Sequence, residues 1–219
     1  MAAKKKSAKS GKKRAYHHGD LRAVLLEASL ALIEKEGIAA LSLREVARRA
    51  KVTHGAPYHH FPDRSALLAT IAEDGFRRLG EALSGAVGAA RDPGARYFAC
   101  GVAYVDFAVR HRGYFQVMFR PELAPPDLYP AVGEASTAAF DVLVRVIEEC
   151  QRANVAPPGD PFAMAVTSWA MAHGLAALSV EGPLAHGMPG LGENPHDIAT
   201  IAVETLRGWL TAAGRARLT

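Results

Sequence analysis

The run Ser42-Leu43-Arg44-Glu45 does more than any other feature to narrow what this chain can become. A serine followed three residues later by glutamate is a capping box, in which the Ser hydroxyl accepts from the backbone N–H of the third residue and the Glu carboxylate reaches back to the serine N–H. The helix it starts has little room, because Lys51-Val52 makes a tight connection and Thr53 offers a second cap. A helix running only from Ser42 to about Ala50 is too short to persist alone in water, so neighbours have to brace it. The flanking sequence supplies them. Asp20 can cap a helix whose Leu21, Leu25, Ala28 and Leu32 recur at helical spacing and which Gly37 stops. A short third helix is expected from Thr53 to His60, and Asp63 caps a fourth that carries Leu67, Leu68, Ile71, Phe76 and Leu79.

Helical periodicity continues to the end of the chain. A helix from about Ala95 to Arg112 sets Tyr97, Gly101, Tyr104, Ala108 and His111 on one stripe and is expected to end at Gly113. Tyr114–Phe119 reads as a short aromatic helix, Arg120–Pro130 as a loop, and Val132–Arg152 as another long helix. Pro161–Val180 carries two opposed apolar stripes: Phe162, Val166, Trp169, His173, Ala176 and Val180 on one, Met164, Ser168, Met171, Leu175 and Leu178 on the other. Asn194 and Pro195 announce a last helix with Ile198, Ala202, Leu206 and Trp209, ending at Gly214. The expected fold is all-α, with about nine helices and no strand.

The organisation that follows is a basic arm over residues 1–15, expected to be disordered, and a helix-turn-helix domain over 16–64. The latter extends into a linking helix over 63–84, and a C-terminal ligand-binding and dimerisation domain covers 85–219. Charge separates the arm from the rest. Lys4, Lys5, Lys6, Lys9, Lys12, Lys13 and Arg14 give residues 1–14 a charge of +7 with no acid, so a whole-chain charge of +4 leaves −3 for the remainder. With no apolar run it is not a secretory signal; it is either a solvated tail or a polyanion-binding arm. Pro161–Val180 has no formal charge, but six alanines with Thr167, Ser168, His173, Gly174 and Ser179 favour a buried helix over a membrane span, and the chain is expected in the cytoplasm. Cys100 and Cys150 lack metal or redox spacing and read as free thiols. The pairs His17-His18 and His59-His60 point apart on a helix and have no third ligand at zinc-like spacing, so no metal and no cofactor are expected.

Two short helices on a tight turn, braced by a third, form the arrangement that offers one helix to the major groove. The presented segment is VTHGAPYHHF; with SLREVARRA before it and PDRSALL after it, it closely resembles the DNA-binding domain of TetR-family regulators over roughly residues 16 to 76. TSWAMAHGL and YFQVMFRPEL resemble one branch of that family in the C-terminal part. Gly55 and Ala56 are small enough to let the backbone approach DNA, and His54 and Tyr58 share a face at i, i+4, where they can read base edges. Thr53, His59, His60, Ser42, Arg44 and Arg64 fall at positions where the resemblance implies phosphate contacts, while Ser42 and Thr53 also read as caps. Arg48 and Arg49 read as a solvated face. Pro57 departs from the family pattern, removes a backbone donor and is able to start the helix as a tighter turn.

The resemblance also implies a pocket for a small apolar or aromatic effector. Phe98, Tyr104, Phe107, Phe115, Met118, Phe119, Phe140, Trp169 and His173 are candidate lining, although core packing explains the same aromatics. His173 needs a polar partner, either a ligand or a neighbouring helix. Met164, Met171, Leu175 and Leu178, with Ile198, Ala202, Leu206 and Trp209, are the candidate dimer interface. The reading is a homodimeric, sequence-specific regulator on an approximately palindromic duplex, a repressor released by its effector. The alternative is a nonspecific nucleic-acid-binding protein using the basic arm. No nucleophile–base pair, phosphate-cradling glycine loop or purposeful carboxylate pair points to an enzyme.

Overall fold

The computed structural model describes residues 21–182 except Pro126. The elements in order are α1 (Leu21–Glu36), a 3-10 turn (Ile38–Ala40), α2 (Leu43–Ala50), a second 3-10 turn (Ala56–His59), α3 (Arg64–Ala89), α4 (Pro93–Arg110), α5 (Arg112–Met118), α6 (Pro130–Arg152) and α7 (Pro161–Val180). Among the described residues there is no strand. The arm, the Asp20 cap and the helix expected from Asn194 to Gly214, with Ile198, Ala202, Leu206 and Trp209, lie outside them.

Short polar caps start these helices, at Ser42 and Asp63 as the sequence signals and at Asp92 and Asp160 besides, while Thr53 makes no cap bond to the turn after it. Ser42 Oγ accepts from Glu45 N at 3.2 Å, and Asp63, Asp92 and Asp160 accept from Ala66 N, Ala95 N and Phe162 N at 2.8, 2.8 and 3.0 Å. Glu45 departs from a full capping box: its carboxylate grips Arg48 Nε at 2.9 and 3.0 Å, one turn along the same helix. At the other end of α2, Lys51 adopts the left-handed conformation (φ 59°), Val52 N donates to Ala47 O and Lys51 N to Arg48 O, closing a Schellman motif. This geometry makes the connection after α2 tight.

The linking helix runs past the expected boundary at residue 84. Gly85 and Gly88 face open space, so they weaken α3 without ending it, and the helix continues to Ala89. Gly113 does not stop α4 either. The break falls at His111 (φ −122°, ψ 49°), and Gly113 sits inside α5, where a Cβ would lie 3.1 Å from Glu34 Cγ and 3.3 Å from Leu30 Cδ2 of α1. A glycine is needed there because α5 is pressed onto α1.

Helix α3 is about 39 Å long at 1.5 Å per residue and contributes core to both halves of the molecule. Its first turns bury Leu67, Leu68 and Ile71 in the same core as Leu25, Leu32, Val46 and Phe61, and its later turns bury Phe76, Leu79 and Leu83 with Tyr104, Phe115, Met118 and Val142. That core is continuous from the N-terminal unit into the helical domain. Helices α4, α5 and α6 pack on α3, and α7 packs on α4 and α6.

Candidate nucleic-acid interface

The segment expected to form a third helix is instead a turn at Thr53–Gly55 followed by one 3-10 turn, Ala56–His59. Pro57 is the cause. Its side chain is fully buried, and its carbonyl accepts from both His60 N and Phe61 N at 2.9 Å. The ring therefore fills the apolar position of the family pattern while its missing N–H favours the tighter winding. Pinned from within by Pro57 and by the buried Phe61, the segment turns the rest of its side chains outward: Thr53, His54, Tyr58, His59 and His60 are exposed, Gly55 and Ala56 half-buried. Tyr58 is 55% exposed, high for a large aromatic. No Cβ would meet anything at Gly55, so that edge of the turn is open to a close partner.

Beside this turn lies a shallow depression of about 380 Å³ lined by Ser42, Arg44, Glu45, Ala47, Arg48, Val52 and His54. It brings the exposed Arg44 and Arg48 to the same face as His54, with Ser42 at the α2 N-terminus. Arg49, expected on a solvated face, instead ties α2 to α1 through the Ala31 carbonyl (3.3 Å) and Glu36 (3.7 Å).

Arg64, expected at a phosphate, has a role inside the protein as well. Its guanidinium donates through Nε to Leu41 O and through Nη2 to Ile38 O, each at 2.9 Å, and so clamps the connection between α1 and α2 from inside. A fork with two donors on these carbonyls holds the α1–α2 connection in place.

In the helical domain the candidate lining residues divide. Tyr104, Phe107, Phe115 and Met118 are buried in the core; Phe98, Phe119, Phe140, Trp169 and His173 are half-buried. They meet through ring contacts: His173 lies 4.6 Å from Phe119 and 5.3 Å from Phe115 between centroids, and Phe140 packs edge-on to Trp169 at 6.2 Å. His173 finds its partner on a neighbouring helix, since its Nδ1 lies 2.8 Å from Tyr104 Oη, which accepts from Trp169 Nε1 at 3.2 Å. Tyr104 Oη thus joins Trp169 and His173 in one hydrogen-bonded chain. Burial holds the His173 pKa below the ordinary histidine value and pushes the Tyr104 hydroxyl well above its own. On α5, Gln116 Oε1 is buried and has no hydrogen-bond partner among the described residues.

The exposed face of α7 only partly coincides with the stripe expected at a dimer interface. Helix α7 turns Ala165, Ala176, Ser179 and Val180 into its own domain, a sector that takes in Ala176 and Val180 of the first stripe and none of the second. Met164 and Leu175 are half-buried, with Gln151 Nε2 3.4 Å from the Met164 sulfur. The exposed face carries Phe162, Ala163, Val166, Thr167, Ala170, Met171, Gly174 and Leu178, with Phe162 58% and Leu178 48% exposed. Of the four α7 residues expected at a dimer interface, Met171 and Leu178 are exposed and Met164 and Leu175 are half-buried. Phe162 and Val166, on the Trp169–His173 stripe, are exposed as well, because that stripe runs beyond the point where the domain covers it. Among the described residues α7 is the one helix long and apolar enough to cross a membrane, and no group of three or more metal-ligating side chains is found.

Sequence reasoning also overlooked the contacts of α5. Its Gly113 N donates to Glu34 of α1 (3.2 Å), its Tyr114 hydroxyl to Asp74 of α3 (2.5 Å), and Arg112 Nη2 reaches the Val180 carbonyl at the end of α7 (2.7 Å). A Cβ on Gly75 would sit 2.7 Å from Met118 Sδ, so that glycine lets α5 close on α3. No periodicity announces these contacts; the close-packed glycines are their only trace in the sequence.

Residues 25–71 match the family model described as bacterial regulatory proteins, tetR family, and residues 97–211 match the tetracyclin repressor-like C-terminal domain. The HTH-type transcriptional regulator AcrR of Shigella flexneri is 39% identical over 62 residues, 28% of this chain and 29% of that protein. BetI of Paraburkholderia xenovorans (strain LB400) is 36% identical over 86 residues, 39% of this chain and 44% of BetI. The match thus spans less than half the length of these curated relatives. A solved structure of a protein with unknown function from Rhodococcus sp. RHA1 is 40% identical and superposes with a TM-score of 0.75, covering 90% of this chain and 99% of that one. With both family models matched in order along one chain and the all-α architecture described above, this protein belongs to the TetR family of bacterial regulatory proteins.

Proposed function

We propose that the protein is a homodimeric transcriptional regulator that reads an approximately palindromic duplex through the turn at residues 53–60 and is released from it by a small apolar or aromatic effector. The observation that carries this reading is the outward set of Tyr58, His54, His59 and His60 on a turn anchored by the buried Pro57. An exposed aromatic beside imidazoles and an open glycine suits base edges and thymine methyls, and Arg44, Arg48, Ser42 and Thr53 flank it for backbone phosphates. Arg64 supports that surface from beneath.

The exposed face of α7 supports the dimer. Phe162, Val166, Met171 and Leu178 surround the small residues Ala163, Thr167, Ala170 and Gly174, a surface over which a second copy of the helix can approach closely. Two such subunits set their turns about 34–36 Å apart, one duplex turn. The aromatic cluster between α5 and α7 suits the effector: the rings of Phe119, Phe140 and Trp169 supply apolar contact and the half-buried His173 a polar group. Because α5 also binds α1, α3 and the end of α7, an effector that shifts α5 changes the support of the DNA-facing unit. Coupled sites of this kind typically differ by about 1–3 kcal/mol.

Two variants separate the parts. Tyr58→Ala should sediment as a dimer and lose DNA affinity, whereas Leu178→Glu should sediment as a monomer and lose DNA affinity as a consequence. Full DNA affinity in monomeric Leu178→Glu, or in Tyr58→Ala, contradicts the assignment.

A further inference from the structure

Glu45 stands at the third position of α2, where a capping box would turn its carboxylate back to the Ser42 N–H. It turns forward instead and takes the Arg48 guanidinium by one edge, Nε at 2.9 and 3.0 Å with Nη2 on the same side. A guanidinium holds five N–H donors in a rigid plane, so this grip leaves the Nη1–Nη2 edge able to make a second two-point contact. The two side chains are nested accordingly. Glu45 is 26% exposed and Arg48 72%, so the acid lies beneath and the cation stands out from the surface. We propose that Glu45 is a positioning residue for DNA binding: it holds Arg48 by the inner edge so that the outer edge meets a backbone phosphate of the duplex. The inference rests on the DNA-reading assignment above.

Arg48 lines the same depression as Ser42, Arg44 and His54, beside the turn at residues 53–60, and Glu45 is the one acid in that lining. An acid on a surface that meets a polyanion weakens binding by charge alone, and its grip on Arg48 is the contact that offsets this. The neighbouring Arg49 has the opposite orientation, turned back onto the Ala31 carbonyl and Glu36 of α1. Of two adjacent arginines near the end of α2, one braces the helix and the other is presented. The first helix of a helix-turn-helix crosses the DNA backbone, which makes phosphate the partner of an α2 side chain. A loose surface arginine loses its rotamer freedom when it binds phosphate; one anchored by its inner edge has lost much of it beforehand. The hydrogen bond from Arg48 holds the Glu45 carboxyl below the ordinary carboxylate range, so the pair stays charged at neutral pH. An exposed pair one helical turn apart adds little to stability, so its effect falls on binding.

The test is a double-mutant cycle in the full-length chain: wild type, Glu45→Ala, Arg48→Ala and the double variant, with Glu45→Gln as the conservative change. Each protein is titrated by fluorescence anisotropy over a salt series, against the duplex that the wild type selects from a random pool and a scrambled duplex of equal length. Arg48→Ala should lower the magnitude of the slope of log affinity against log salt by about 0.9 per subunit. Glu45→Ala removes a negative charge and should nevertheless weaken binding about 2- to 12-fold per subunit, with Glu45→Gln, which keeps one acceptor oxygen, losing less. In the Arg48→Ala background the loss of Glu45 should no longer weaken binding. Tighter binding by Glu45→Ala with Arg48 in place would show that the acid competes with phosphate, and overturns the inference. Equal weakening in both backgrounds would make Glu45 a structural residue of α2, and an unchanged slope in Arg48→Ala would remove the phosphate; each also overturns it. All three leave the DNA-reading assignment standing. A wild type that binds no duplex, or binds the selected and scrambled ones alike, overturns that assignment and this inference with it.

Discussion

Replacing Arg64 distinguishes an internal clamp from a phosphate contact, because the two roles place opposite demands on the side chain. The guanidinium spans two carbonyls, Leu41 O and Ile38 O, both at 2.9 Å, and no single ammonium can reproduce that fork. Arg64→Ala removes two charge-assisted bonds in a half-buried setting and leaves the Leu41 carbonyl without its donor, at a cost of about 2–3 kcal/mol. For a chain of this size that corresponds to a fall of roughly 4–12 °C in Tm. Arg64→Lys keeps the charge and at most one of the two bonds, so it should lose about 1 kcal/mol. Thermal unfolding of the three proteins, followed by circular dichroism, reads these differences, and DNA affinity across a salt series reads the phosphate role. The clamp predicts a graded loss of stability from Arg to Lys to Ala with an unchanged salt slope for Lys. Unchanged Tm in both variants, with the slope of the Ala variant reduced by about 0.9 per subunit, refutes the reasoning and restores a phosphate contact.

Other outcomes follow from the same geometry. Tyr58→Ala should weaken site-specific binding by about 1–3 kcal/mol, roughly 5- to 150-fold by fluorescence anisotropy, with Tm unchanged because the ring is exposed. Gly85→Ala and Gly88→Ala, in the open and exposed second half of α3, should each raise stability by about 0.5–1 kcal/mol in denaturant unfolding; a loss would mean that α3 needs to bend there. Tyr104→Phe strips His173 and Trp169 of their shared partner, and a cost of about 1–3 kcal/mol is expected. Burial lowers the folded-state pKa of His173, so the unfolded chain takes up the proton first; stability should be full above the ordinary imidazole pKa of about 6.5 and fall as pH drops below it. Tm measured from pH 8 to 5 should therefore decline less in His173→Gln than in the wild type.

The sequence disclosed best what is decided locally. Ser42 and Asp63 cap their helices because a short acceptor ahead of an apolar periodic run acts within one turn, and Pro161–Val180 is helical over the expected range. What stayed hidden depends on neighbours distant in sequence. Gly113 reads as a stop signal but is a close-packing position against Glu34 and Leu30, and the real break at His111 carries no turn residue. The family pattern placed Arg64 outside, whereas the carbonyls that turn it inward belong to a loop more than twenty positions earlier. On α7 the two apolar stripes were visible, but the sector that α4 and α6 cover was not, so the exposed face includes Phe162 and Val166 of the first stripe. Pro57 was the informative exception: its conflict with a regular helix was legible and the segment is the tighter turn it suggested.

The central claim is that a dimer reads a two-fold duplex through the turn at residues 53–60. Selection of bound sequences from a random duplex pool by the wild type and by Tyr58→Ala, at moderate salt, tests it most directly. The account predicts that the wild type enriches an approximate palindrome with half-sites about 10 bp apart and that Tyr58→Ala enriches it weakly or with relaxed positions. Enrichment of the same palindrome to the same degree by both proteins, or of none by the wild type, would contradict it.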